Sequence, residues 1–251
     1  MEETIRELAE LSLWHEINQL LVSNPELNVS GSDIAEWTIL HMACLHGSET
    51  TVSLLLSHPG VNINGKTRGG STAFSIACTG GHITCMRVIL GDERFACDSD
   101  TTHAICMNVV HDGLVEVIEE WIASGKYAGS ILLSDECWFL KHQRGKETLA
   151  LLRQFATNAG GTRKAMRLKT GWYDRQAAMR FSVIVFVCDR LLEIKKNANE
   201  TDPTVRFLRM VGRLPLDLQM MTCHRLVNSQ RDIILSNHVE DALRAEDKEW
   251  N

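Results

Sequence analysis

The first half of the chain carries short apolar stretches that recur in pairs at a fixed spacing. The stretch Thr38-Ile-Leu-His-Met-Ala-Cys-Leu-His-Gly47 aligns without a gap with Thr72-Ala-Phe-Ser-Ile-Ala-Cys-Thr-Gly-Gly81, which lies 34 residues further on. Each is followed at the same offset by a second apolar stretch, at 52–56 and 86–90. Apolar runs separated by turn residues in this way favour pairs of helices, and a constant period of this length indicates stacked helical hairpins.

These segments resemble ankyrin repeats, whose period is about 33 residues and whose pattern includes Thr-x-Leu-His-x-Ala. Gly60-Val-Asn-Ile-Asn64 is similar to the loop of that family. The resemblance implies an all-α helical solenoid with β-turn fingers. Thr38 and Thr72 are expected to cap the first helix of their repeats, and the resemblance implies that the His41 ring hydrogen-bonds to a neighbouring repeat. Ser75 replaces that histidine in the next repeat, so we expect a weaker bridge there.

Degenerate copies flank the two clear repeats. Residues 8–21 follow the same offsets with Leu13 at the position of the glycine, and residues 113–122 match the second helix of a fourth repeat whose first helix is expected at about 104–111. A fifth unit is expected at 137–152. Because each hairpin buries its apolar face only against its neighbours, at least three are needed for stability. We therefore predict a solenoid of four or five repeats.

The repeat pattern stops at Asn158-Ala-Gly-Gly161, which we interpret as a break. Residues 1–157 are thus expected to form the solenoid, and residues 158–251 a small α-helical subdomain that packs on the last repeat. Its apolar segments predict a long helix at 176–196, a polar loop at 197–203, helices at 204–213 and 214–227, and short helical pieces at 230–235 and 239–246.

The segment Leu214-Pro-Leu-Asp-Leu218 resembles the opening of an F-box-like helix, written loosely as Leu-Pro-x-x-Leu. Some viral ankyrin proteins carry such a segment near their C-terminus and use it to recruit a cullin-type ubiquitin ligase. The resemblance therefore implies an alternative function, that of an adaptor that recruits a ubiquitin ligase through the helix at 214–227. The other interpretation is a helix that only packs within its subdomain.

Charge divides the chain unevenly around its net value of −6. Residues 1–159 contain 10 Lys and Arg against 20 Asp and Glu, whereas residues 160–235 contain 14 against 7. The basic residues are densest at 163–180, and this segment is a candidate site for an acidic partner. The alternatives are a solvated linker and a segment that docks on the acidic body of the same chain. The patch is too small to predict nucleic-acid binding.

Other classes of protein are not expected. The longest apolar run, Phe181–Val187, is far shorter than the roughly 20 residues of a membrane span, and the acidic N-terminal residues do not resemble a secretory signal.

The eight cysteines include no Cys-x-x-Cys pair, which predicts reduced thiols and no metal site. We therefore expect a cytoplasmic or, alternatively, nuclear protein without a cofactor. Cys44 and Cys78 occupy equivalent repeat positions, and we expect both in the core.

The sequence contains no Gly-x-Ser-x-Gly, His-Glu-x-x-His or Gly-x-x-x-x-Gly-Lys-Ser/Thr motif, so we predict that the protein is not an enzyme. One alternative stays open at this stage. His103, His111 and Asp112 are expected on the concave side of the fourth repeat, where they could meet to form a metal or acid–base site.

We predict a non-catalytic protein–protein interaction module that binds another protein. In ankyrin folds the fingertips and the exposed side of the first helices line a concave groove. An exposed Trp37 would leave a large apolar area for a partner, whereas the alternative is that its ring folds onto its own repeat. Mapped onto this sequence, the predicted partner-binding residues are Ile34, Trp37, Leu45, His46, Arg68, Ser71, Thr79, His103, His111 and Asp112.

Overall fold

The computed structural model describes residues 2–25, 27–58, 60–127, 145–188 and 202–227, together with residues 229, 234, 238 and 242. The chain divides into two compact units, residues 1–166 and residues 167–251. The predicted boundary after residue 157 stays a prediction. Several predicted elements lie outside the described residues, wholly or in large part: the first helix of a fifth repeat at 137–144, the polar loop at 197–203, and the helical pieces at 230–235 and 239–246.

Helices of the first unit alternate between two layers, as successive hairpins require. One layer stacks α1 (Glu2–Glu10), α3 (Ile39–Leu45), α5 (Ala73–Thr79) and α7 (Ser99–Asp112). The other stacks α2 (Trp14–Ser23), α4 (Glu49–Ser57), α6 (Ile83–Gly91) and α8 (Val115–Ser124). α9 (Lys146–Thr157) contacts both α7 and α8, and α10 (Ala159–Lys169) follows it. This arrangement confirms the predicted all-α helical solenoid.

Two short fingers connect the hairpins. Antiparallel bridges join Ser32 to Thr38 and Lys66 to Thr72 at their bases. The second of these fingers turns through Gly70, whose φ of +81° lies in the left-handed region. Thr38 and Thr72 are the N-cap residues of α3 and α5, as predicted.

The fourth repeat differs from the prediction because its first helix begins at Ser99 rather than near residue 104. At 14 residues α7 is twice as long as α3 or α5. The segment 98–103 contains no glycine to make a finger turn, and the Asp98 carboxylate instead accepts the backbone N–H of Thr101 at 2.7 Å. This cap starts the helix early, so helical turns occupy the place of a finger.

Each hairpin turn contains a residue in the left-handed region. Gly47, Gly81 and Gly113 have φ values of +68°, +69° and +72°. In the first repeat this residue is Ser12, with φ +56°, and not Leu13, which the sequence alignment had placed at the glycine position. A side chain at this φ is strained, whereas glycine adopts it without steric cost.

A single core runs through the first unit. Cys44 and Cys78 are completely buried at equivalent positions, as predicted. Burial raises the pKa of both thiols well above the ordinary value, so they act as small packing groups. Aromatic rings continue the core between repeats, with neighbouring centroids 4.6–5.1 Å apart in the series Phe95, Phe74, Trp121, Tyr127 and Phe155.

The second unit has its own apolar core. Its helices are α11 (Trp172–Cys188), α12 (Pro203–Val211) and α13 (Leu216–Leu226), and α11 packs mainly on α13. Phe181, Ile184 and Cys223 are among the buried residues. α11 begins four residues before the predicted start at 176, and residues 189–196 of the predicted helix lie outside the described residues. None of the described helices combines the length and apolar character that a bilayer span requires.

The sequence predicted a break in the helical pattern at residues 158–161, but only residue 158 is non-helical. Asn158 separates α9 from α10, and its side-chain oxygen accepts the backbone N–H of Gly161 at 2.9 Å. This bond satisfies a free N–H in the first turn of α10. The two glycines are therefore helical despite their low intrinsic preference for that conformation.

We expect Ser12→Gly to raise the free energy of unfolding by about 1 kcal/mol, because glycine removes the left-handed strain. Urea denaturation followed by circular dichroism measures this change. Ser12→Ala is the matched control and should give no gain. Gly47→Ala should be clearly destabilising, since a Cβ there would lie 2.5 Å from Nδ1 of His82. An unchanged or lower stability for Ser12→Gly would contradict the assignment of this turn.

Candidate functional site

Polar side chains join each repeat to the next. The Asn64 amide donates to the Arg94 carbonyl at 2.8 Å and accepts the Ala96 N–H at 2.9 Å. Arg87 pairs with Glu120 at 2.5 Å across α6 and α8. Because these bonds cross between hairpins, they hold neighbouring repeats in a fixed relative position, and any surface that spans several repeats is preorganised.

His41 supplies the bridge that the resemblance implied. Its Nδ1 accepts the backbone N–H of Thr38 at 3.1 Å, so Nε2 carries the proton and donates to the Gly65 carbonyl at 3.1 Å. The side chain is 1% exposed, and burial lowers its pKa below the ordinary value of 6.5. In the next repeat, the Ser75 hydroxyl bonds only within its own turn, to the N–H and the carbonyl of Thr72.

Two predicted residues lie at the fingertips. The N–H of Arg68 donates to the carbonyl of Ala35 at 2.9 Å, which places the two finger turns side by side. Ile34 is 86% exposed, and Arg68 is also exposed. An isoleucine this exposed is unusual for a residue with a large apolar side chain.

The Trp37 ring folds onto its own repeat, which is the alternative to a fully exposed ring. It lies on the His41 ring, with centroids 6.0 Å apart, and it is half-buried against the core. Asp33 fixes the preceding turn by accepting the N–H groups of Ala35 and Trp37 at 2.8 and 2.7 Å. Trp37 therefore contributes to the stability of its finger as well as to its surface.

At the opposite end of the first helices, the hairpin turns present Leu45 and His46. Leu45 is 50% exposed. The His46 ring packs on Trp14 of the preceding repeat, with centroids 5.3 Å apart, and Nε2 of His82 lies 3.1 Å from the Leu45 carbonyl oxygen. The turns of three successive repeats are thus in direct contact.

Other predicted residues are less accessible. Ser71 and Thr79 are half-buried. The Thr79 hydroxyl bonds to carbonyl groups of its own helix at 3.1 Å, and the Ser71 backbone bonds across its finger to Thr67. Both side chains are less exposed to solvent than those of Ile34 and Leu45.

His103, which was expected on the concave side of the fourth repeat, lies within α7 because this helix begins at Ser99. The pair His111 and Asp112 is exposed at the C-terminal end of α7, with Nδ1 and Oδ1 2.7 Å apart. Eight residues of helix separate His103 from His111, or about 12 Å along the axis, so the structure does not bring the two together. Within the part of the chain that the structure describes, no group of three His, Cys, Asp or Glu residues could hold a metal ion.

Sequence reasoning missed two exposed leucines in the first hairpin turn. Leu11 is 68% exposed and Leu13 is 38% exposed. Leu11 precedes the left-handed residue Ser12 just as His46 precedes Gly47. An alignment centred on Ser12 would have placed Leu11 among the candidate residues.

The basic segment 163–180 uses several of its cations internally. The Arg163 guanidinium lies 5.6 Å from the Phe155 ring centroid, and that of Arg167 lies 4.1 Å from the Trp172 ring. Such contacts stabilise both partners. Arg175 donates to the Thr170 carbonyl. An acidic partner at this segment stays a prediction.

Comparison with known families agrees with this geometry. Residues 12–103 match the family model described as ankyrin repeats, in three copies. The match runs from the turn before α2 into the first part of α7, so this segment is an array of ankyrin repeats. No curated protein and no solved structure matches the chain.

We expect the His41 bridge to make stability depend on pH. Because the pKa of His41 is lowered in the folded state, the unfolded chain takes up a proton first as the pH falls through 6.5. The free energy of unfolding therefore decreases below pH 6.5 and levels off below the pKa of the folded state. At neutral pH, His41→Ala should cost about 2 kcal/mol through lost hydrogen bonds.

Urea titrations at several pH values measure both effects. The difference between wild type and His41→Ala isolates the contribution of this residue from those of the other histidines. Equal pH dependence in the two proteins would show that His41 is not held in its neutral form.

Proposed function

We propose that this protein is a non-catalytic interaction module that holds a segment of a partner protein along the fingertips, the first helices and the hairpin turns of its repeats. Ankyrin repeats are generic protein–protein interaction modules, and this chain carries three of them. The observation that carries the proposal is the exposure of Ile34 and Leu45 at opposite ends of the second repeat.

Large apolar side chains exposed on a rigid framework are typical of protein-binding surfaces. Ile34 stands next to Arg68, a residue type that is enriched at interfaces. Between these fingertips and Leu45 lie the first helices, whose relative positions are fixed by the bonds of His41 and Asn64 to neighbouring repeats. A partner binding here would not need to order the surface, which lowers the free-energy cost of association.

We further propose a cytoplasmic location, with the nucleus as the alternative. All seven cysteines that the structure describes are free. Free thiols of this number are typical of a reducing compartment.

Charge substitution at the two exposed apolar residues tests the proposed surface. We expect Ile34→Glu and Leu45→Glu to abolish capture of the proteins that the wild-type chain retains from cells that express it. Both side chains are exposed, so a charge at either position should change stability by less than about 0.5 kcal/mol. Quantitative mass spectrometry of the captured proteins provides the measurement.

Val22→Glu is the matched control, since Val22 is 62% exposed on α2 in the other layer of helices. It should capture the same proteins as the wild type. If Ile34→Glu and Leu45→Glu retain every partner that Val22→Glu retains, the surface has been assigned incorrectly. Trp37 is less suitable for this test because its ring also packs against the core.

A second function, that of a ubiquitin-ligase adaptor, is supported by one observation on the second unit. Leu216 and Leu218, in the first turn of α13, are 58% and 39% exposed, and Met210 at the end of α12 is 59% exposed. Exposed large apolar side chains near one end of a helix are a common feature of protein-binding surfaces. Pro215 precedes the helix and suits its start.

Point substitutions can separate this adaptor function from the folding of the unit. We expect Leu218→Glu to abolish co-purification of cullin-pathway proteins and to leave capture through the repeats unchanged. Leu226→Glu is the control, because Leu226 is 49% exposed at the other end of the same helix. Absence of cullin-pathway proteins from the wild-type sample would exclude the adaptor function.

A further inference from the structure

The repeats use most of their cations to join one hairpin to the next. Residues 1–127 contain six Lys and Arg against 17 Asp and Glu. Lys66 pairs with Asp98 at 2.7 Å, and Arg87 pairs with Glu120 at 2.5 Å. Each of these bonds links residues in adjacent repeats.

The other inter-repeat cations bind backbone carbonyl groups. Arg94 donates to the Leu56 carbonyl at 2.6 Å, and Lys126 donates to the Asp92 carbonyl at 2.6 Å. Arg94 also pairs with Asp92 at 2.5 Å. Four of the six cations in residues 1–127 are thereby engaged in holding the repeats together.

Many carboxylates are left without such partners. Seven exposed glutamates of residues 1–127 form no ion pair among the described residues: Glu7, Glu10, Glu16, Glu36, Glu49, Glu93 and Glu116. Exposed carboxylates of one sign produce a negative potential over the surface that they share. The repeats therefore present an acidic surface, because their 17 carboxylates far outnumber their six cations and four of those cations are engaged in the contacts described above.

Three of these glutamates lie in or beside the first two hairpin turns. We call residues 10–16 and 45–49 the turn edge. It contains Glu10, Glu16 and Glu49 together with the exposed leucines Leu11, Leu13 and Leu45. The contact between the Trp14 and His46 rings, at 5.3 Å, holds the two turns side by side.

We propose that the partner segment is cationic, with apolar side chains flanked by Lys or Arg, and that it docks on the turn edge. Leu11, Leu13 and Leu45 contact its apolar side chains, and the neighbouring glutamates attract its cations. Charge complementarity of this kind speeds association and excludes acidic competitors such as nucleic acid. This inference rests on the proposed function and adds the chemistry of the partner.

A random dodecamer peptide library displayed on phage, selected on the immobilised full-length protein, tests the inference. We expect the selected peptides to carry at least two Lys or Arg around an apolar residue. A synthetic, fluorescently labelled copy of one selected peptide then serves as the probe in anisotropy titrations. Its affinity should fall as salt is added, because the exposed charges are screened.

The double variant Glu10→Lys/Glu49→Lys should weaken binding of that peptide by about tenfold or more. Leu45→Glu, which keeps the edge acidic but removes its apolar contact, should weaken it as well. The control is Glu93→Lys/Glu116→Lys, which changes the net charge equally at two exposed positions outside the turn edge. Circular dichroism verifies that all variants are folded.

The outcomes separate the inference from the function on which it rests. If no peptide is selected, the proposed binding function is itself contradicted. If peptides are selected but are acidic or neutral, or bind equally well to wild type and Glu10→Lys/Glu49→Lys, the protein binds peptides and the cationic partner is wrong. Equal weakening by the control variant would show a general charge effect and would overturn the turn edge as the site.

Discussion

The burial of each helical hairpin against the next is the constraint on which the first unit depends. Val52, Leu55, Met86 and Ile89 are completely buried because the neighbouring hairpins cover them. A single hairpin has no second face to cover its apolar residues, so stability is shared between repeats. This explains why the core is continuous from α1 to α9.

Stacking creates a second requirement. Backbone carbonyl groups where two repeats meet need hydrogen-bond donors, and side chains of the neighbouring repeat supply them. His41, Asn64 and Arg94 do this by bonding to backbone groups of the adjacent repeat. The bonds fix the spacing of the repeats and make the surface across them rigid. The acidic character of that surface follows from the excess of carboxylates over cations in residues 1–127.

The second unit follows a different arrangement. Its core, built around Phe181, Ile184 and Cys223, involves helices that are not related by a repeat. Leu216 and Leu218, in the first turn of α13, stay exposed, whereas Cys223 further along the same helix is buried. The exposed apolar residues of the second unit therefore lie on helices that do not repeat, whereas those of the first unit lie on stacked hairpins.

The sequence by itself determined the features that depend on local conformation and periodicity. Thr38, Thr72, Gly47 and Gly81 could be placed because caps and left-handed turns have specific residue preferences, and Cys44 could be placed because its position recurs. The start of α7 at Ser99 belongs with these local features, because the Asp98 carboxylate caps the helix by accepting the backbone N–H of Thr101. Tertiary structure decided the rest. The burial of Trp37 and the exposure of Leu11 depend on which neighbouring side chains are close enough to cover them, and spacing along the chain does not encode that distance.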